Sequence, residues 1–124
     1  MNLKLLKNIY KVIKLKPNEK IPLDLLSNEE IYSITRTEEE ISIVVKDDVD
    51  IKSDVIENNW RIIKIIGTLD FSLIGILSKI STILANAQIS IFALSTYNTD
   101  YILVKDEKIE QAIKVLEENN YKFI

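Results

Sequence analysis

The residues best equipped for chemistry stand together at positions 95–100, Ser95-Thr96-Tyr97-Asn98-Thr99-Asp100. They are three hydroxyls, a phenol, an amide and a carboxylate in succession. Such a set can hydrogen-bond a small polar molecule, and Asp100 can pair with a cation. The same residue types also make solvated turns, so their use depends on what stands opposite. What the chain lacks narrows the chemistry. It has no cysteine and no histidine, which rules out disulfides, thiolate nucleophiles and zinc held by those ligands. The usual general base near neutral pH is missing too. Carboxylates such as Asp70 and Asp100 would need one shared pocket with room for a water. No Gly-rich phosphate loop is present. The expectation is a protein that is not an enzyme and carries neither metal nor cofactor.

Strands must hold the 95–100 segment. Residues 89–94 and 101–104 are apolar runs rich in Ile, Leu, Phe and Val, so the polar residues between them form a hairpin tip. Residues 31–36 and 41–46 form a second hairpin around Thr37-Glu38-Glu39-Glu40. The first fifteen residues predict two short strands with a turn at Lys7-Asn8, and Pro17 ends that run. Residues 16–28 fit a loop with one or two helical turns. Residues 47–59 are acidic, with Ile51, Val55 and Ile56 able to face a core from a short helix. Trp60 to Ile66 predict a strand that Gly67 ends.

Leu73, Ile76, Leu77, Ile80, Ile83, Leu84 and Ala87 fall at steps of three and four, the spacing of one helical face. Asp70 or Ser72 can cap its start, and Asn86 can take the left-handed conformation that closes a helix. A last helix, capped by Asp106, turns Ile109, Ala112, Ile113 and Leu116 inward. Residues 121–124 form a closing strand.

The two halves echo each other. Glu57-Asn58-Asn59-Trp60-Arg61-Ile62-Ile63 returns as Glu118-Asn119-Asn120-Tyr121-Lys122-Phe123-Ile124, an offset of 61 (118 − 57). Ile43, Val45, Lys46 and Asp47 match Ile102, Val104, Lys105 and Asp106, an offset of 59 (102 − 43). The second half follows the order βαββαβ, the ferredoxin-like plan. The expected fold is α+β: two ferredoxin-like repeats, the first degenerate, with antiparallel sheets and helices on one face. The domains would be 1–59 and 60–124. Ile89, Ile91 and Ala93 on one side of a strand and Phe92 and Leu94 on the other leave a sheet face that helices do not cover. A homodimer would cover it.

With 47% apolar residues the 124-residue chain has ample material for a core. Sixteen basic against nineteen acidic side chains give a net charge of −3, without the basic stripe that nucleic-acid binding needs. No apolar run reaches the roughly 18–20 residues that span a bilayer. The lysine-rich start lacks a signal-peptide pattern, and a cytoplasmic location is expected.

The segment GTLDFSLIGILSKISTILANAQISIFALSTYNTDYILV resembles the ACT domain, as found in small proteins built of two ACT repeats. The same arrangement is similar to aspartokinase regulatory parts and to cytosolic arginine sensors. The resemblance is strongest over residues 60–124, and SITRTEEEISIVV is similar to the degenerate first repeat of that group. It implies a non-catalytic regulatory protein. An amino acid would be bound at an interface between repeats or subunits, and binding would be passed to a partner protein. Carried over residue by residue, the ligand surface is Asp70, Phe71, Ser72, Leu73, Gly75 and Ile76, facing Ser95, Thr96, Tyr97, Thr99 and Asp100. Amides at a helix start suit a ligand carboxylate, Gly75 permits close approach, and Asp100 suits an ammonium. Leu73 stands where some members carry a polar or acidic residue. The first half lacks the Asp-Phe-Ser and glycine features, so it would supply a wall and not a second site.

Overall fold

The computed structural model describes residues 1–27, 30–67 and 75–124. It is α+β, with eight strands and two α-helices among the described residues. The strands are β1 (Asn2–Leu5), β2 (Tyr10–Leu15), β3 (Ser33–Arg36), β4 (Ile41–Lys46), β5 (Val55–Ile65), β6 (Ile91–Ser95), β7 (Asp100–Lys105) and β8 (Lys122–Phe123). The helices are α1 (Ile76–Asn86) and α2 (Ile109–Glu118). The chain divides into two compact units, Asn8–Trp60 and Met1–Lys7 with Arg61–Ile124.

In the unit Asn8–Trp60 the strands lie in the order β3-β4-β2-β5, all neighbours antiparallel. Ile13, Leu15, Ile41, Ile43, Val45 and Ile51 are its buried cluster. A 3-10 turn, Leu23–Leu25, stands where the sequence predicts one or two helical turns. Residues 47–54 form no helix, contrary to expectation. Val55 and Ile56 instead pair with Lys14 and Ile13 of β2. Two β-branched residues gain a strand partner there, while the preceding aspartates favour turns over helix interiors. Between Tyr10 and Val12 the register with β5 shifts, and Asn59 takes a φ of 66°. This is a bulge, with the extra residue in the left-handed conformation that asparagine tolerates.

In the other unit the order is β6-β7-β5-β1-β8. The sequence order from β5 onward is βαββαβ, as predicted, but β1 is inserted between β5 and β8. It runs antiparallel to β5, with Leu3 opposite Ile65, and parallel to β8, with Leu3 opposite Phe123. The unit is therefore mixed and not antiparallel throughout. This pairing also places Met1–Lys7 with the later residues, whereas the sequence groups them with 1–59.

Ile63, Ile65, Ile102 and Val104 project from alternate positions of β5 and β7 onto Ile80 and Leu84 of α1 and Ala112 and Leu116 of α2. The helices thus cover one face. On the alternating positions Ile62 and Leu103 are also fully buried within the single chain. Both helices end in the same way. Gln88, with φ 61°, follows α1, while the amide of Ile89 donates to the Leu84 carbonyl at 2.9 Å. Asn120, with φ 71°, follows α2, while the amide of Tyr121 donates to the Leu116 carbonyl at 3.1 Å. Gln88, not Asn86, is therefore the left-handed residue after the first helix. Asp106 does not cap α2 through its side chain. It opens a 3-10 turn, Asp106–Lys108, and its carboxylate accepts from Arg61 Nη1 at 3.3 Å.

Candidate functional site

The hairpin joining β6 and β7 is fixed by its own polar residues. Ser95 and Asp100 are cross-strand partners, and Ser95 Oγ donates to Asp100 Oδ1 at 2.5 Å. Inside them, the Thr96 amide and Oγ1 both donate to the Thr99 carbonyl, at 2.9 and 3.1 Å. Thr99 is 4% exposed, and its Oγ1 donates to the carbonyl of Ile65 at 2.8 Å. Tyr97 stands outside this frame, 81% exposed at the tip. Asp100, which accepts the Ser95 bond, is half-buried.

Ile65 is the last residue of β5, so the Thr99 bond holds the hairpin against the point where the chain leaves for α1. Gly67, with φ 102°, begins that departure. Asp70, Phe71, Ser72 and Leu73 lie outside the described residues. Gly75 is the residue before α1 and not part of its first turn. It has φ 81°, and its carbonyl accepts the first helical bond, from the Lys79 amide at 2.9 Å. A Cβ at Gly75 would meet no described atom within 4 Å, so it is the left-handed backbone conformation that favours glycine there. Ile76 packs against the core of its unit. The described site residues therefore fall into a hairpin group tied to β5 and a helix-start group at Gly75.

The tip between β3 and β4 is built alike. The Thr37 amide donates to the Glu40 carbonyl at 2.9 Å, and Thr37 Oγ1 accepts from the amides of Glu39 and Glu40 at 3.1 and 3.2 Å. Thr37 and Thr96 thus do the same job, 59 positions apart (96 − 37). Hydroxyls in these tips are structural whatever else they do.

One polar grouping escapes sequence inspection. Asn8 Nδ2 donates to Glu30 Oε2 at 2.9 Å, and Asn8 also bonds the phenol of Tyr10, a residue only 1% exposed. Burial pushes the Tyr10 phenol above its ordinary pKa; the Asn8 bond opposes this and the Glu30 charge adds to it. Asn8 and Tyr10 are neighbours in the chain, but Glu30 comes from a separate segment, so no spacing announces the set. The sole hint is an asparagine interrupting an apolar stretch. Among the described residues no group of three or more carboxylates is placed to hold a metal ion. Among the described residues no helix is long and apolar enough to cross a membrane.

Comparison with known proteins agrees with this architecture. A family model described as the ACT domain matches residues 55–118. A second model, of an N-terminal domain, matches residues 8–53. No curated protein matches the chain. Among solved structures, a protein of Agrobacterium tumefaciens is 30% identical, over 99% of this chain and 91% of its own, with a TM-score of 0.89. A Vibrio cholerae protein of unknown function, called a possible transport protein, is 24% identical over 94% of this chain and 88% of its own, with a TM-score of 0.71. The aspartate kinase of Clostridium acetobutylicum is 20% identical, over 88% of this chain and 32% of its own, with a TM-score of 0.67. At that identity the likeness is one of fold. With more than half its length matched by the family model, the chain belongs to the ACT domain family.

Proposed function

We propose that this chain is a non-catalytic regulatory protein that binds an amino acid and passes the binding to a protein partner. The ligand would lie against Asp70, Phe71, Ser72, Leu73, Gly75 and Ile76 on one side and Ser95, Thr96, Tyr97, Thr99 and Asp100 on the other. A homodimer would complete the site at a subunit interface. The observation that carries this reading is the bond from Thr99 Oγ1 to the Ile65 carbonyl. It fastens the polar hairpin to the last residue of β5, from which the chain leaves for α1, and this supports a site shared by the hairpin and the helix start. Helix-start amides would take the ligand carboxylate, and Asp100 its ammonium.

We also read the two halves as copies of one ferredoxin-like plan, the first degenerate. The matched threonine tips support this, as do the left-handed asparagines Asn59 and Asn120 at the same offset of 61 (120 − 59). Asn120 closes a helix, whereas Asn59 makes a bulge where its helix has been lost.

A second reading, a dimerisation or adaptor module without ligand, draws on the internal bonding of Ser95, Thr96 and Thr99. A thermal-shift series over the twenty amino acids separates the two. A ligand at a hundred times its Kd stabilises the folded form by about 2.7 kcal/mol. At least one amino acid should therefore raise the melting temperature by several degrees. A flat response at millimolar concentration, repeated by calorimetry, supports the adaptor.

A further inference from the structure

Within the unit Asn8–Trp60, a cavity of about 500 Å³ opens between the Leu23–Leu25 turn and the loop after β4. That volume suits a small organic molecule. One wall is hydrocarbon, from Leu25, Leu26 and Val49. The other carries Glu30, Lys46 and Asp48.

The charged wall is organised but incompletely paired. Glu30 is held through Oε2 by Asn8, itself bonded to the buried Tyr10. Its other oxygen, Oε1, stands 4.0 Å from Lys46 Nζ, and the same ammonium is 3.6 Å from Asp48 Oδ2. Both separations exceed a charge-assisted hydrogen bond, which lies near 2.7–2.9 Å. One ammonium thus sits loosely between two carboxylates. Asp50, also on the lining, is already paired with Lys52 at 3.0 Å, so the excess of charge comes from the two carboxylates, Glu30 and Asp48, that share Lys46. A metal ion is not the matching occupant, because no three carboxylates among the described residues converge. A hydrocarbon wall beside an excess of negative charge matches an amphipathic cation.

We propose that this cavity binds a primary ammonium carried on an apolar body, with the ammonium between Glu30 and Asp48 and the hydrocarbon along Leu25, Leu26 and Val49. The site is independent of the hairpin between β6 and β7 and does not rest on the amino-acid reading. Lys46 competes with the ligand, so its charge sets the affinity from the opposite direction to that of Glu30.

The test is a titration of the full chain with 2-phenylethylammonium, followed by amide chemical shifts and by calorimetry. 2-Phenylethanol and 3-phenylpropionate serve as neutral and anionic counterparts of the same size. The ammonium should saturate with shifts centred on Leu25, Leu26 and Val49. The alcohol should bind at least about tenfold more weakly, since it lacks the charge that strengthens a hydrogen bond to a carboxylate. Glu30→Gln, which keeps an acceptor for Asn8, should weaken the ammonium about tenfold, and Lys46→Met should tighten it. Should Glu30→Gln not fold, Asp48→Asn applies the same test from an exposed position. The proposal is overturned if the propionate binds better than the ammonium. It is overturned equally if removing carboxylate charge leaves affinity unchanged, or if the shifts fall elsewhere.

Discussion

Replacing Thr99 by valine removes one hydroxyl and little else. The side chain keeps its branched shape. The backbone bonds of the tip survive, because Thr96 donates to the Thr99 carbonyl and accepts from the Thr99 amide. What disappears is the 2.8 Å bond to the Ile65 carbonyl, made at a position only 4% exposed. An internal hydrogen bond is worth about 0.5–1.5 kcal/mol net, and an acceptor left dry adds part of its desolvation cost. The expected loss is therefore about 1–2 kcal/mol. For a chain of this size that lowers the melting temperature by roughly 3–8 °C. In urea the midpoint should fall by roughly 0.5–1 M at unchanged slope. Equilibrium unfolding followed by circular dichroism measures both quantities. A midpoint within about 0.1 M of the parent would refute the reasoning, since it would mean that the Ile65 carbonyl finds another donor and the hairpin needs no anchor.

Asp100→Ala should abolish any amino-acid-dependent rise in melting temperature while lowering stability by less than about 1 kcal/mol, because its bond to Ser95 lies near solvent. A larger loss in urea would mark Asp100 as structural. Gln88→Gly should raise stability by about 0.5–1 kcal/mol, since glycine adopts the φ of 61° without the side-chain penalty, and no gain would contradict the helix-end geometry. The Tyr10 phenol, raised above its ordinary value of 10.0 by burial, stays protonated in the folded chain after the unfolded chain has begun to ionise. Stability should therefore hold up to about pH 10 and fall as pH rises further. Urea midpoints between pH 8 and 11.5 should show a shallower fall in Tyr10→Phe than in the parent.

The hairpins were legible because runs of Ile and Val around Thr-rich or Glu-rich tips leave few alternatives. The same holds for the inward faces of the two helices, where Ile80, Leu84, Ala112 and Leu116 keep the helical period. Position within the sheet was not legible. Nothing local in Asn2–Leu5 says that it lies between β5 and β8, since that depends on partners far along the chain. Residues 47–54 misled because Ile51, Val55 and Ile56 share a helical spacing, yet β2 offered the last two a strand partner. Asp106 offered a cap by type, but Arg61 claimed its carboxylate. At the site, composition drew attention to Ser95 through Asp100 and could not show that Ser95 and Asp100 bond each other, because that follows from register. Asn8, Glu30 and Lys46 meet only after β2 and β4 have paired.

The interior place of β1 bears on the order in which this chain can assemble. Leu3 finds one neighbour in Ile65 and the other in Phe123, so the earliest strand in the sequence waits for nearly the latest. Closing such long loops costs entropy before any contact compensates, and long-range pairings slow folding. The hairpins and helices have local partners and can form beforehand, leaving a slot between β5 and β8. Until β1 fills it, both walls expose unpaired backbone donors and acceptors, which any other strand can use. The strand that comes first in the chain is the one that completes it.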